Sequence, residues 1–154
     1  MLDNILDGLK GQMTSAIAEK TGMDVNQAEQ TVPMAKESIM EGMTSAVAGG
    51  KMSEVMGMFS NGGGGMMQNM VYQGMANNFI GKMTSKLGID SSMATMVSST
   101  ALPMIMSKIS GSAADADGNV SENGIMSALG MGKSGMMDKV GGMLKGGMGN
   151  ILGN

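Results

Sequence analysis

The sequence contains no Cys, no His, no Trp and no Arg. Without Cys there are no disulfides, thiol nucleophiles or thiolate metal ligands. Without His, the usual general base at neutral pH and the commonest metal ligand are missing as well. Aromatic residues are confined to Phe59, Tyr72 and Phe79, so a core built from this chain must be aliphatic. Cations come only from 10 Lys and are outnumbered by 13 acidic residues, for a net charge of −3. That balance offers no electrostatic footprint for a polyanion, and nucleic acid is not an expected partner. No run of about 18 apolar residues could span a membrane. The start, Met1-Leu2-Asp3-Asn4-Ile5, lacks the basic and apolar regions of a signal peptide, so the cytoplasm is the expected location. A Cys-free chain also suits an oxidising compartment, and export by another route stays open.

Two residue types fill the space left by these absences. Methionine occurs 24 times against eight Leu, so an unbranched thioether takes most positions that Leu would usually hold. Glycine occurs 26 times, and each Gly inside a helix costs about 1 kcal/mol relative to Ala. Helices here need neighbours to be stable. A chain of 154 residues is long enough to bury a real core, as one domain or two closely packed subdomains.

The apolar spacing is helical almost throughout. Leu2, Ile5, Leu6, Leu9, Met13 and Ile17 recur at three- and four-residue steps, with Asp3 and Asp7 near the positive end of the helix dipole. A turn follows at Thr21-Gly22. Asp24 is then expected to cap the next helix, in a capping box with Gln27 and with Met23 stapled against Ala28. Pro33 predicts a break, giving a short helix over 24–31 and another from Pro33 to Ala48, stopped at Gly49-Gly50. Met52, Val55, Met56 and Phe59 mark a further short helix, and Asn61-Gly62-Gly63-Gly64-Gly65 reads as a hinge.

Beyond the hinge the pattern begins again. Met66, Met70, Val71, Gly74, Met75, Ile80, Met83 and Leu87 share a face. Lys20, Gly22, Asp24 and Ala28 then recur as Lys86, Gly88, Asp90 and Ala94, and Pro33-Met34 recurs as Pro103-Met104, shifted by one helical turn. We therefore expect an all-α, multihelical fold of two related helix-turn-helix subdomains, 1–60 and 66–133, joined by the hinge at 61–65. A terminal amphipathic helix over 134–154 is expected to follow. Its residues Met136-Met137-Asp138-Lys139-Val140, Leu144-Lys145-Gly146 and Met148 parallel Met1-Leu2-Asp3-Asn4-Ile5, Leu9-Lys10-Gly11 and Met13. Both ends of the chain thus carry nearly the same apolar stripe.

Several segments of the second half have a known likeness. Lys86-Leu87-Gly88-Ile89-Asp90-Ser91-Ser92-Met93-Ala94, Ala101-Leu102-Pro103-Met104-Ile105, Asn119-Val120-Ser121 and Leu144-Lys145-Gly146 resemble the bacterial YidB-like family, best over residues 79–150. That resemblance implies a multihelical fold and no established activity. The first half looks more like Gly-rich bacterial proteins of unknown function, and the Met enrichment and the Gly62–Gly65 run depart from the enterobacterial pattern. A shorter stretch, Ala16-Ile17-Ala18-Glu19-Lys20-Thr21-Gly22-Met23-Asp24 with Gln27-Ala28-Glu29, is similar to the N-terminal helix pair of histone-like HU proteins. Its second helix carries Asn26, Gln27, Glu29 and Gln30 but no cation to meet phosphate, so the likeness implies a structural or dimerising helix pair and not a DNA reader.

Five motifs invite chemistry. Met56-x-Met58, Met66-Met67-x-x-Met70 and Met104-x-Met106 could ligate Cu(I) or Ag(I) through soft thioethers. Helical residues two apart diverge, which leaves Met66, Met67 and Met70 as the best metal candidates, with core filling as the plainer reading. Asp115, Asp117 and Gly118 sit like positions three, five and six of an EF-hand loop. Position one would be Ala113 and position twelve Gly124, so a polar turn with Ser121 capping the next helix is preferred. Asp24 and Asp90 read as structural caps and not as an acid–base pair. The Gly62–Gly65 run ends in Gly65-Met66-Met67 where a phosphate loop needs Gly-Lys-Ser or Gly-Lys-Thr, so it reads as a linker. Lys133, Lys139 and Lys145 could lay the terminal helix on a membrane surface, but opposed by Asp138 they make a weak cationic face.

No catalytic residue and no cofactor is expected. The functional expectation is a non-enzymatic structural or interaction protein that self-associates as a homo-oligomer, either closed or as an open filament. Leu2, Ile5, Leu6, Leu9, Val140, Met143, Leu144 and Ile151 would carry the contact. A Cu(I)/Ag(I) buffer is the alternative, and a membrane-surface amphipathic protein the second.

Overall fold

A computed structural model of the chain describes residues 2–60 and 65–131. Among these, 82% are helical and no strand occurs. Six α-helices follow in order: α1 (Leu2–Thr21), α2 (Val25–Ala48), α3 (Met52–Ser60), α4 (Met70–Lys86), α5 (Ser91–Ala113) and α6 (Glu122–Ala128). A 3-10 turn at Met66–Gln68 precedes α4. The hinge residues 61–64 and the expected terminal helix over 134–154 lie outside the described residues.

The two Gly-x-Asp turns have the same backbone. Gly22 and Gly88 end α1 and α4 at φ of 71° and 65°, a left-handed conformation that a side chain would strain. Of the two expected caps that follow, one forms and one does not. Asp24 occupies the N-cap of α2, yet its carboxylate makes no capping hydrogen bond, so the box with Gln27 does not form. Asp90 does cap, accepting from the Ser92 amide at 3.2 Å.

Pro33 breaks nothing: α2 is continuous from Val25 to Ala48, in place of the expected pair of helices. A proline removes one amide donor, the one that would serve the Glu29 carbonyl, and both residues are exposed where water can substitute. Meanwhile Ala28, Val32, Ala35, Ile39, Met43 and Ala46 form an unbroken buried stripe across the proline, and its packing outweighs the lost bond. Pro103 is carried inside α5 in the same way, between buried Ala101, Leu102 and Ile105.

Helix α1 packs against α2 and α5, and α4 also packs against α2 and α5. The most extensive partner of α1 is α5 and that of α2 is α4, so the halves on either side of the hinge share one core across their expected boundary. Helix α6 covers α5, while α3 leans on α2 and α4. Six of the twelve largest fully buried side chains are methionines: Met13, Met43, Met58, Met75, Met83 and Met106. Two glycines permit close approach. A Cβ on Gly42 of α2 would stand 2.1 Å from Met75 Cγ of α4, and one on Gly124 of α6 would stand 2.1 Å from the Ala113 carbonyl oxygen of α5.

Candidate functional site

The region with the most unusual chemistry lies between α3, the 3-10 turn and the later part of α5. Asn69 holds it together. Its Oδ1 accepts from the Val71 and Tyr72 amides at 2.9 and 3.3 Å, capping α4, while its Nδ2 donates to the Glu54 carbonyl of α3 at 2.9 Å. One side chain thus ties the start of α4 to α3, although only its place before an apolar run could have marked it in the sequence.

A cavity of about 320 Å³ opens beside this junction, lined by Met58, Phe59, Met66, Met67, Pro103, Ser107 and Ser110. Met58 and Met66 are buried, whereas Met67 is 62% exposed. Of the three expected metal candidates, Met66 and Met67 therefore come together, but Met70 does not join them. Met70 is 69% exposed and lines a separate groove between α2 and α4 with Glu41, Lys51, Gly74 and Asn78. The third thioether on the cavity is Met58, which the sequence pattern offered only as half of a divergent pair with Met56.

The expected association stripe divides. Leu2, Leu6 and Leu9 are buried at 2%, 5% and 3% exposure in the chain's own core, and Ile5 is half-buried against it. The N-terminal half of the stripe is thus covered from within. Val140, Met143, Leu144 and Ile151 lie outside the described residues.

Charged groups form seams across two helix pairs. Asp3 bonds to Lys36 and Lys10 faces Glu29 at 3.8 Å, both pairs bridging α1 and α2 along a groove of about 640 Å³. Between α2 and α4, Lys82 reaches Glu41 at 3.0 Å and Glu37 at 3.1 Å, Lys86 reaches Glu37 at 3.5 Å, and Asn78 donates to Glu41 at 2.8 Å. The hydrogen bond from Lys82 holds the Glu37 and Glu41 carboxyls below their ordinary range, and that from Lys36 does the same for Asp3. Burial works to lower the Lys82 ammonium, but its bonds to Glu41 and Glu37 prevail and the net shift is upward. Burial alone pushes the Tyr72 phenol up.

The loop after α5 is a self-contained polar turn. Asp115 Oδ1 accepts from the Asp117 and Asn119 amides at 3.1 and 2.9 Å, Gly118 turns at φ of 80°, and Ser121 Oγ caps α6 by accepting from the Gly124 amide at 3.0 Å. Asp115 is spent on the backbone of its own loop. No group of three or more His, Cys, Asp or Glu able to hold a metal occurs among the described residues. Nor is any described helix long and apolar enough to cross a membrane.

These features define a multihelical protein with one Met-rich core, two proline-containing long helices and paired left-handed glycine turns. The chain belongs to the bacterial family described as "Bacterial protein of unknown function (DUF937)", whose model matches it twice, over residues 3–70 and 69–153. No curated protein and no solved structure matches it.

Proposed function

We propose that this protein is a non-enzymatic structural element that acts by self-association through the stripe Val140, Met143, Leu144 and Ile151. The observation that supports this reading is the burial of the corresponding N-terminal residues. In α1 the same residue pattern is buried against α2 and α5, which supports the expectation that such a stripe seeks an apolar partner. The copy of that pattern at 136–148 is suited to pairing with the same stripe of a second chain, closing as a twofold dimer or continuing as a filament. Burial at about 25 cal/mol per Å² drives the contact, and a net charge of −3 opposes it weakly. Within its family the chain groups with the YidB-like members, on the residues around Leu87–Met93 and Ala101–Ile105.

Mass in solution, followed by sedimentation from micromolar to millimolar concentration, tests this reading. The expected result is a mass that rises with concentration in the native chain and stays monomeric in the folded variant V140D/L144D. A native chain that stays monomeric throughout, or a variant that assembles as the native chain does, overturns it. Ile5→Asp and Leu9→Asp are unsuitable probes, because Leu9 is a core residue and Ile5 packs against it.

A further inference from the structure

We propose that Met58, Met66 and Met67 form a thioether site for a soft monovalent cation, Cu(I) or Ag(I). The three side chains come from two elements, α3 and the 3-10 turn, on either side of the Gly-rich segment, and converge on one cavity of about 320 Å³. The other side chains lining that cavity supply no soft donor: Phe59 and Pro103 are apolar, and Ser107 and Ser110 offer only hard hydroxyl oxygens, which Cu(I) and Ag(I) bind poorly. With no Cys or His anywhere in the chain, no stronger ligand competes for these ions.

Exposure differs among the three in a way that core filling does not explain. Met58 and Met66 are 1% and 8% exposed, as filler side chains are, but Met67 is 62% exposed while still lining the cavity. It contributes little to burial there and is placed to close over an ion from the solvent side. The charge of the ion also has a counterpart nearby. Glu54 precedes Met58 by one turn of α3, and its Oε2 is buried without a hydrogen-bond partner among the described residues. Three neutral thioethers leave a monovalent cation uncompensated, and a carboxylate one turn away offsets that charge from outside the ligand set. Asn69 fixes the separation of the two contributing elements by bonding the Glu54 carbonyl while capping α4.

The test is an anaerobic titration of the full chain with Cu(I) against a chromogenic chelator, repeated with redox-silent Ag(I). The expected result is one equivalent bound more tightly than about micromolar. Met67→Leu, at an exposed position that leaves folding intact, weakens it about tenfold. Glu54→Gln weakens it by roughly tenfold as well. The triple variant M58L/M66L/M67L, nearly volume-conserving, abolishes binding at native helical content. Met70→Leu and Met96→Leu, exposed but off the cavity, leave it unchanged. Absence of binding tighter than micromolar in the native chain, or affinity undiminished in Met67→Leu, overturns the proposal. Neither result bears on the sedimentation of metal-free protein, so this site and the self-association reading stand or fall separately.

Discussion

Replacing Gly42 by Ala should destabilise the protein, against the usual direction for a helix-interior glycine. On propensity alone the substitution gains about 1 kcal/mol. The added Cβ, however, would stand 2.1 Å from Met75 Cγ and 3.1 Å from its Sδ, and Met75 is fully buried. The colliding atom is near the root of the side chain, so turning the methyl end aside does not relieve it. Either Met75 leaves its rotamer or α2 and α4 separate, and overpacking of this kind costs about 1–3 kcal/mol. The net expectation is a loss of up to about 2 kcal/mol, or several °C in Tm at roughly 2–4 °C per kcal/mol for a chain of this size. Gly81 of α4 is the control: it is exposed and a Cβ there meets nothing within 4 Å, so Gly81→Ala should gain about 0.5–1 kcal/mol. Urea unfolding measures both, provided the slope is unchanged. In a Met75→Ala background the penalty should vanish and Gly42→Ala should behave like Gly81→Ala. If Gly42→Ala stabilises the native chain as much as Gly81→Ala does, the close contact between α2 and α4 is refuted.

Asn69→Ala should cost about 1–2 kcal/mol by uncapping α4, and hydrogen exchange should speed up at Val71 and Tyr72 first; uniform exchange across α4 would contradict that. Stability should also fall at both pH extremes. Asp3, Glu37 and Glu41 have carboxyls lowered in the fold from 3.8, 4.5 and 4.5, so their contribution is whole above about pH 4.5 and is lost as pH falls through the lower folded values. The Lys82 contribution is whole below 10.5 and is lost as pH rises above it, while Tyr72, raised from 10.0, costs the fold stability once the unfolded phenol ionises. Thermal melts across pH should show a plateau between, and Lys82→Met should flatten the acid limb; a limb unchanged in that variant argues against the seam.

Much of the architecture could be read along the chain, because a helix repeats every 3.6 residues and writes its buried face into that spacing. Leu2, Leu6, Leu9, Met13 and Ile17, the turns at Gly22 and Gly88, the cap at Asp90 and the polar turn at Asp115–Ser121 are local features, each decided within one or two turns of chain. Pro33 misled because a local penalty of one donor was weighed without the stripe from Ala28 to Ala46 that α1 and α4 cover. Asp24 misled because its residue type permits a cap that its side chain does not make. Which helices the α1 stripe packs against, why Gly42 must stay small, and that Met58, not Met70, lines a cavity with Met66 and Met67 were decided by tertiary structure alone. The first two depend on residues brought together from distant parts of the chain and the third on a cavity that α5 completes, and periodicity tells which face of a helix is buried but not which other helix buries it.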